Sequence, residues 1–325
     1  MPPTGPSPVL RRRRLGLELR KLREAAGLTG DQVIARIGWA SASKLSRLEN
    51  GRSRPDPDDV AALLDLYGVT DAQREELLGI TGEAGDMRGW LRKYPVMTPQ
   101  QRSFAELEAG CAEILEYNPV LVPGLLQTTG YARLRIVSAH QVESGAGDLE
   151  HGETPDNEVA ARVARQSLLS RADAPRYTAV LEEAALGRRA GPPEVLREQL
   201  SQLCNLAMLP HVTLHVLPRD TKIGDWYLPP TAFSIYRFAD PLDPETLAIE
   251  GGFTNAMSTE VSTLNAYKVA FEWLRSAALS ASDTISWLFE AAGRLTEAAG
   301  PSTATHGSAT TPTQRRRHSG RLTDR

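Results

Sequence analysis

Apolar residues recur at three- and four-residue steps through the first part of the chain, and this rhythm predicts five short helices. The first begins at Leu15 and carries Leu19 and Leu22 on one face, with Gly27 placed to end it. Thr29 opens a second, and Gln32 three positions on completes a capping-box pattern; Gly38 closes that helix. Ser41 can cap a third, whose apolar face is Leu45 and Leu48 and which Gly51 stops. Asp56, with Pro57 in the first turn, starts a fourth through Val60, Leu63, Leu64 and Tyr67, and residues 71–78 supply a fifth. Residues 15–80 are therefore expected to form one small all-α domain.

A Gly-rich polar stretch marks residues 81–98 as a linker, with Trp90 and Tyr94 placed to dock on the domain after it. Helical spacing returns over 99–117 and 124–138; a soft region, 141–154, precedes another helix over 156–171. The texture then changes. Residues 177–181, 212–217, 233–238 and 247–249 are short and rich in β-branched or aromatic side chains, which predicts strands. An amphipathic helix at 193–208 separates the first two, and helical spacing over 259–292 is broken near Ser280. Residues 99–295 are thus expected to form an α+β domain. Residues 296–325 are polar and low in complexity, an expected disordered tail, while residues 1–14 read as a Pro-rich arm ending in Arg11, Arg12, Arg13 and Arg14. No internal repeat is visible.

Charge sharpens the division. The net charge is −3, yet the chain up to Pro55 holds 12 Lys and Arg against 4 Asp and Glu, and residues 56–85 hold 1 against 8. A basic first segment favours a polyanion as partner, because attraction to phosphate is a local field effect. Cys111 and Cys204 make no CxxC spacing and are expected to be buried thiols in a reducing cytoplasm. No run of apolar residues is long enough to span a membrane, and the N-terminal sequence lacks the apolar core of a signal peptide.

The second and third helices carry the clearest chemistry. With Leu45 and Leu48 facing the core, Ser41, Ser43, Lys44, Arg47 and Asn50 are left pointing outward, donors suited to base edges and phosphates in the DNA major groove. Arg52 and Arg54, just past that helix, are candidates for phosphate contacts, which set affinity rather than sequence choice. Arg11–Arg14 read either as a groove-tracking arm or as a solvated charge run. Ser41-Ala42-Ser43-Lys44 fits an S-x-x-K pattern, but no companion element follows it. His211 and His215 share a strand face without a third ligand. Glu182, Glu183 and Asp240 offer carboxylates without an acid–base pattern around them. No catalytic residue, metal ligand or cofactor is expected, and the chain is not expected to be an enzyme.

The run Leu28-Thr29, Gly38, Leu45-Ser46-Arg47-Leu48-Glu49-Asn50-Gly51 and Pro55 resembles the phage-repressor-like, xenobiotic-response-element (XRE) type of helix-turn-helix regulator. The resemblance implies an ion pair between Arg23 and Glu49 inside the helical domain. The chain departs from the family pattern in a longer stretch from Gly38 to Lys44, in Ile34 at the helix crossing, and in Gly30 where relatives carry Gln. A second set of motifs is similar to the C-terminal domain of a regulator group of high-GC bacteria described as toxin–antitoxin-like. It comprises Val120-Leu121-Val122-Pro123-Gly124-Leu125-Leu126-Gln127-Thr128, Tyr131-Ala132-Arg133, Arg162-Val163-Ala164-Arg165-Gln166, and Glu182-Glu183-Ala184-Ala185-Leu186. That likeness implies control through residues 99–295 by a small protein encoded by an adjacent gene, or by a ligand. The expectation is a cytoplasmic transcription regulator, bound to double-stranded DNA as a homodimer on an inverted repeat. The alternative is an antitoxin-like protein that chiefly holds its small neighbour and binds DNA for autoregulation.

Overall fold

The computed structural model describes residues 8–84, 99–108, 110–145, 154–187, 191–222, 231–251 and 255–298. Five helices open the chain: α1 (Pro8–Ala25), α2 (Gly30–Ile37), α3 (Ala42–Glu49), α4 (Pro57–Tyr67) and α5 (Asp71–Glu83). The caps are those that the local chemistry favours. Thr29 and Gln32 exchange the two hydrogen bonds of a capping box, Ser41 accepts from Ser43 N, and Asp56 accepts from Asp58 N. Leu15, Leu19, Leu28, Val33, Leu45, Leu48, Val60, Leu63, Leu64, Leu77 and Ile80 close one core among the five.

The expected N-terminal arm is corrected. Residues 8–14 belong to α1, because Pro8 suits a first helical turn and nothing between it and Leu15 breaks the helix. Arg11–Arg14 are engaged within the protein: Arg11, Arg13 and Arg14 meet the second domain, and Arg12 the end of α5. Arg14 pairs with Glu76 of α5 and with Asp240, each at 2.7 Å, and Arg11 pairs with Glu83 at 2.6 Å and Asp243 at 3.1 Å. Arg13 donates to Thr246 Oγ1, and Arg12 donates to the Ala84 carbonyl. Leu10 is fully buried in the core of the second domain. The last helical residues of α5 extend into the expected linker; the rest of it, with Trp90 and Tyr94, lies outside the described residues, as does most of the expected C-terminal tail.

The second domain opens with α6 (Pro99–Glu108) and is built on a six-stranded mixed sheet in the order β3-β2-β1-β4-β5-β6. Its strands are β1 (Cys111–Asn118), β2 (Arg176–Glu182), β3 (Val212–Leu217), β4 (Phe233–Phe238), β5 (Thr246–Glu250) and β6 (Asn255–Ser258). β1, β2 and β3 run parallel, so helices must carry the chain between them: α7 (Thr129–Gly145) and α8 (Pro155–Gln166), then α9 (Pro193–Ala207). β4, β5 and β6 form an antiparallel meander, followed by α10 (Val261–Ala277) and α11 (Ala281–Ala298), with the break at Ser280. The expected helix over 99–117 is corrected: it ends at Glu108, and β1 follows. Cys111, Ile114, Leu115 and Tyr117 mimic helical spacing because β1 is central and covered on both faces, which erases the alternation of a half-buried strand.

One sheet face joins Ile114, Tyr177, Ala179, Leu181, Tyr236 and Ala248 to α6, α9 and α11; the other joins Leu115, Tyr117, Phe233 and Leu247 to Leu264, Phe271 and Leu274 of α10. Polar groups interrupt the first core. Tyr177 donates to Glu116 at 2.5 Å, and Arg165 grips Glu108 through two nitrogens. Burial, with Glu250 adding repulsion, pushes the Glu116 carboxyl from 4.5 up to about 8. The folded state then holds a proton that the unfolded chain releases, so stability falls as pH rises through that window and levels off above it. Glu116→Gln is expected to flatten this dependence; denaturant melts from about pH 5 to about pH 8 that keep the wild-type slope would contradict it.

Candidate nucleic-acid interface

α3 presents its polar side because Leu45 and Leu48 fasten the opposite side to the core. Its placement rests on a short turn, where Gly38 takes a left-handed conformation with φ of 78°, and on a close crossing with α1. At Gly16 a Cβ would lie 2.5 Å from the Glu49 carbonyl oxygen, so only glycine lets α1 approach the end of α3 this closely. Arg23 of α1 clamps the same end: its Nε is 2.6 Å from Glu49 Oε1 and its Nη2 is 3.1 Å from Oε2. Nη1 of Arg23 also donates to the Leu28 carbonyl, tying α1, α3 and the entry to α2 together. The hydrogen bonds to Glu49 raise the Arg23 guanidinium above its ordinary value.

Ser41, Ser43, Lys44, Arg47 and Asn50 are all exposed, as are Arg52 and Arg54. Their engagements differ. Among the described residues the Arg47 side chain meets Ser43 Oγ at 3.2 Å, within its own helix, and it is exposed. Lys44 is held: Nζ lies 2.7 Å from Asp59 of α4 and 4.5 Å from the centre of the Trp39 ring. Asn50 is spent locally, donating to the Ser46 carbonyl and accepting from Arg20. Ser41 and Ser43 hydroxyls meet at 2.7 Å, and Lys44 points to Asp59 rather than to either. Sequence reasoning missed Arg20, which reaches both Glu49 and Asn50 from the first helix; only the fold brings it beside α3. It also counted Arg11–Arg14 toward the basic segment, although those four cations are matched by carboxylates and polar groups of the seam.

His211, just before β3, and His215, within it, have other tasks. His211 Nε2 meets the Leu169 carbonyl at 2.8 Å, and His215 Nδ1 meets that of Leu279 at 2.9 Å. Cys111 and Cys204 are buried free thiols, and burial raises both. Among the described residues no group of three His, Cys, Asp or Glu gathers to hold a metal, and no helix is long and apolar enough to cross a membrane.

Residues 14–77 match the family described as a helix-turn-helix domain, the DNA-binding unit that this geometry displays. Residues 101–290, more than half of the chain, match the family described as a domain of unknown function, DUF5753. The chain belongs to that family. No curated protein and no solved structure matches it. In this DUF5753 protein the helix-turn-helix match begins at Arg14, so the first turns of α1, which carry Leu10 and Arg11, precede both matched regions while packing against the second.

Removing one partner of an enclosed ion pair leaves the other stranded, and the two partners here are not equivalent. Arg23→Leu leaves the buried Glu49 with the longer 3.4 Å contact of Arg20 and is expected to cost about 3 kcal/mol, whereas Glu49→Leu frees a guanidinium that can reach water and should cost less. Urea denaturation of both variants checks the order; equal losses would show that the burial of Glu49 does not set the cost.

Proposed function

We propose that this DUF5753 protein is a sequence-specific transcription regulator that binds double-stranded DNA as a homodimer, with α3 in the major groove. The carrying observation is that Arg47 stands outward on a helix whose opposite side is fixed by Leu45, Leu48 and the Arg23–Glu49 clamp. An arginine so displayed suits guanine O6 and N7. Lys44 joins it on release from Asp59, and Arg52 and Arg54 take phosphates. Asn50 supports the end of α3 in this reading, since both ends of its amide are occupied within the domain. An eight-residue helix reads few base pairs, which favours two copies on paired half-sites. This reading assigns no chemical reaction to the chain.

The second domain is the receiving part in this reading. A small protein partner or a ligand that shifts it would move α1, and α1 crosses α3 at Gly16. Arg14 bridges Glu76 of the first domain and Asp240 of the second, which couples the two mechanically.

Lys44→Glu combined with Arg47→Glu is expected to abolish site-specific retention in a gel shift while circular dichroism stays unchanged. Retained binding by that folded variant would defeat the groove assignment. Arg47→Ala alone should weaken the specific site by about 1–3 kcal/mol and relax choice at one base pair. For the seam, Arg14→Ala with Asp243→Asn is expected to split thermal unfolding into two transitions in calorimetry; a single unshifted transition would show that the domains are not coupled there.

A further inference from the structure

The sheet face that carries Glu116 holds a hydroxyl without a partner among the described residues. Across four strands, Ala179 of β2, Glu116 of β1, Ser234 of β4 and Ala248 of β5 stand in register on that face. Ala179 and Ser234 flank the Glu116 carboxyl, and Ala248 lies beyond Ser234, where a close-packed core would place large apolar side chains. The Ser234 hydroxyl is buried and bonded to nothing among the described residues. A buried unpartnered hydroxyl is costly, and a bound group that pairs with it removes that cost.

Arginines of α7 and α8 are likewise left with unpaired nitrogens among the described residues. Arg162 of α8 gives one nitrogen to Gln127 at 3.0 Å, yet its Nε is shielded from solvent and unpaired, and it forms no ion pair among the described residues. Arg135 of α7 acts on it with a like charge, and the Nε of Arg135 is also buried and unpaired. Glu250, at the end of β5, feels both Arg162 and Arg165, but its carboxyl forms no hydrogen bond or ion pair among the described residues. Arg165 is already taken, being gripped by Glu108. Burial raises the Glu250 carboxyl and lowers the Arg162 guanidinium, as expected of opposite charges that act on each other without touching.

We propose that this cluster of unpaired polar groups in the second domain binds a small organic acid bearing an amino or hydroxyl group beside its carboxylate, the carboxylate on Arg162 and the donor on Glu250. A charge-assisted contact is what a guanidinium with an unpaired nitrogen offers a carboxylate. An amine or hydroxyl adjacent to it closes the remaining gap to Glu250, and Ser234 takes a polar atom of the body. The site stands on the second domain alone and does not depend on the DNA-binding reading.

The test is calorimetric titration and thermal melting of the full chain, without DNA. The probes are a panel of α-amino acids, the matching α-hydroxy acids, and acetate as the acid without the donor. At least one amino or hydroxy acid is expected to bind saturably and raise the melting temperature, with acetate inert. Arg162→Gln should weaken that binding about tenfold or more, and Glu250→Gln should shift preference from the amino to the hydroxy acids. Ser234→Ala removes an unpartnered hydroxyl, so it should fold at least as well as wild type while binding less tightly. Saturable binding by no member of the panel, or binding that all three variants leave unchanged, would overturn the proposal.

Discussion

The architecture depends on neutralising the arginines of α1. A helix that carries Arg11, Arg12, Arg13, Arg14, Arg20 and Arg23 within about five turns cannot be enclosed unless each buried guanidinium finds an acceptor. The acceptors come from both domains: Glu49, Glu76 and Glu83 from the helical one, and Asp240, Asp243 and Thr246 from the sheet domain. Leu10 and Leu15 repeat the division in apolar form, the former in the core of the second domain and the latter in that of the first. α1 is therefore a shared strut rather than the first helix of an independent module.

That strut constrains what α3 can do. The Gly16 crossing and the Arg23–Glu49 clamp fix the C-terminal end of α3 to α1, and α1 in turn is held by the loop between β4 and β5. β5 begins at Thr246, which accepts from Arg13, and ends at Glu250, on which Arg162 and Arg165 of α8 act. One five-residue strand thus separates the seam from the proposed acid site. A ligand at that site and the presentation of α3 would be linked through β5 and α1, which gives a regulator of this design a short physical path.

Much of the first domain was legible because its signals are local. Capping residues such as Thr29, Ser41 and Asp56 act within three positions, and the left-handed glycines at 27, 38, 51 and 68 stop helices where the chain turns. The strands β2, β3, β4 and β5 were also visible, since their β-branched and aromatic content is a property of each segment alone. β1 was not: its apolar spacing suits a helix as well as a twice-covered strand, and only its pairing with β2 and β4 decides between them. β6, four residues at the edge, carries too little pattern to be read.

The sequence by itself determined the helix-turn-helix, the outward chemistry of Arg47 and the Arg23–Glu49 pair that the family resemblance implied, because caps, short-range periodicity and motif spacing encode these. The tertiary structure alone decided where charges go. It engaged Arg11–Arg14 at the domain seam, tethered Lys44 to Asp59, tied Asn50 to Ser46 and Arg20, and gathered Arg162, Glu250 and Ser234 from distant segments. The reason is the range of the forces. Backbone conformation is settled within a few residues, whereas the fate of a charge depends on which acceptors the finished fold brings near it.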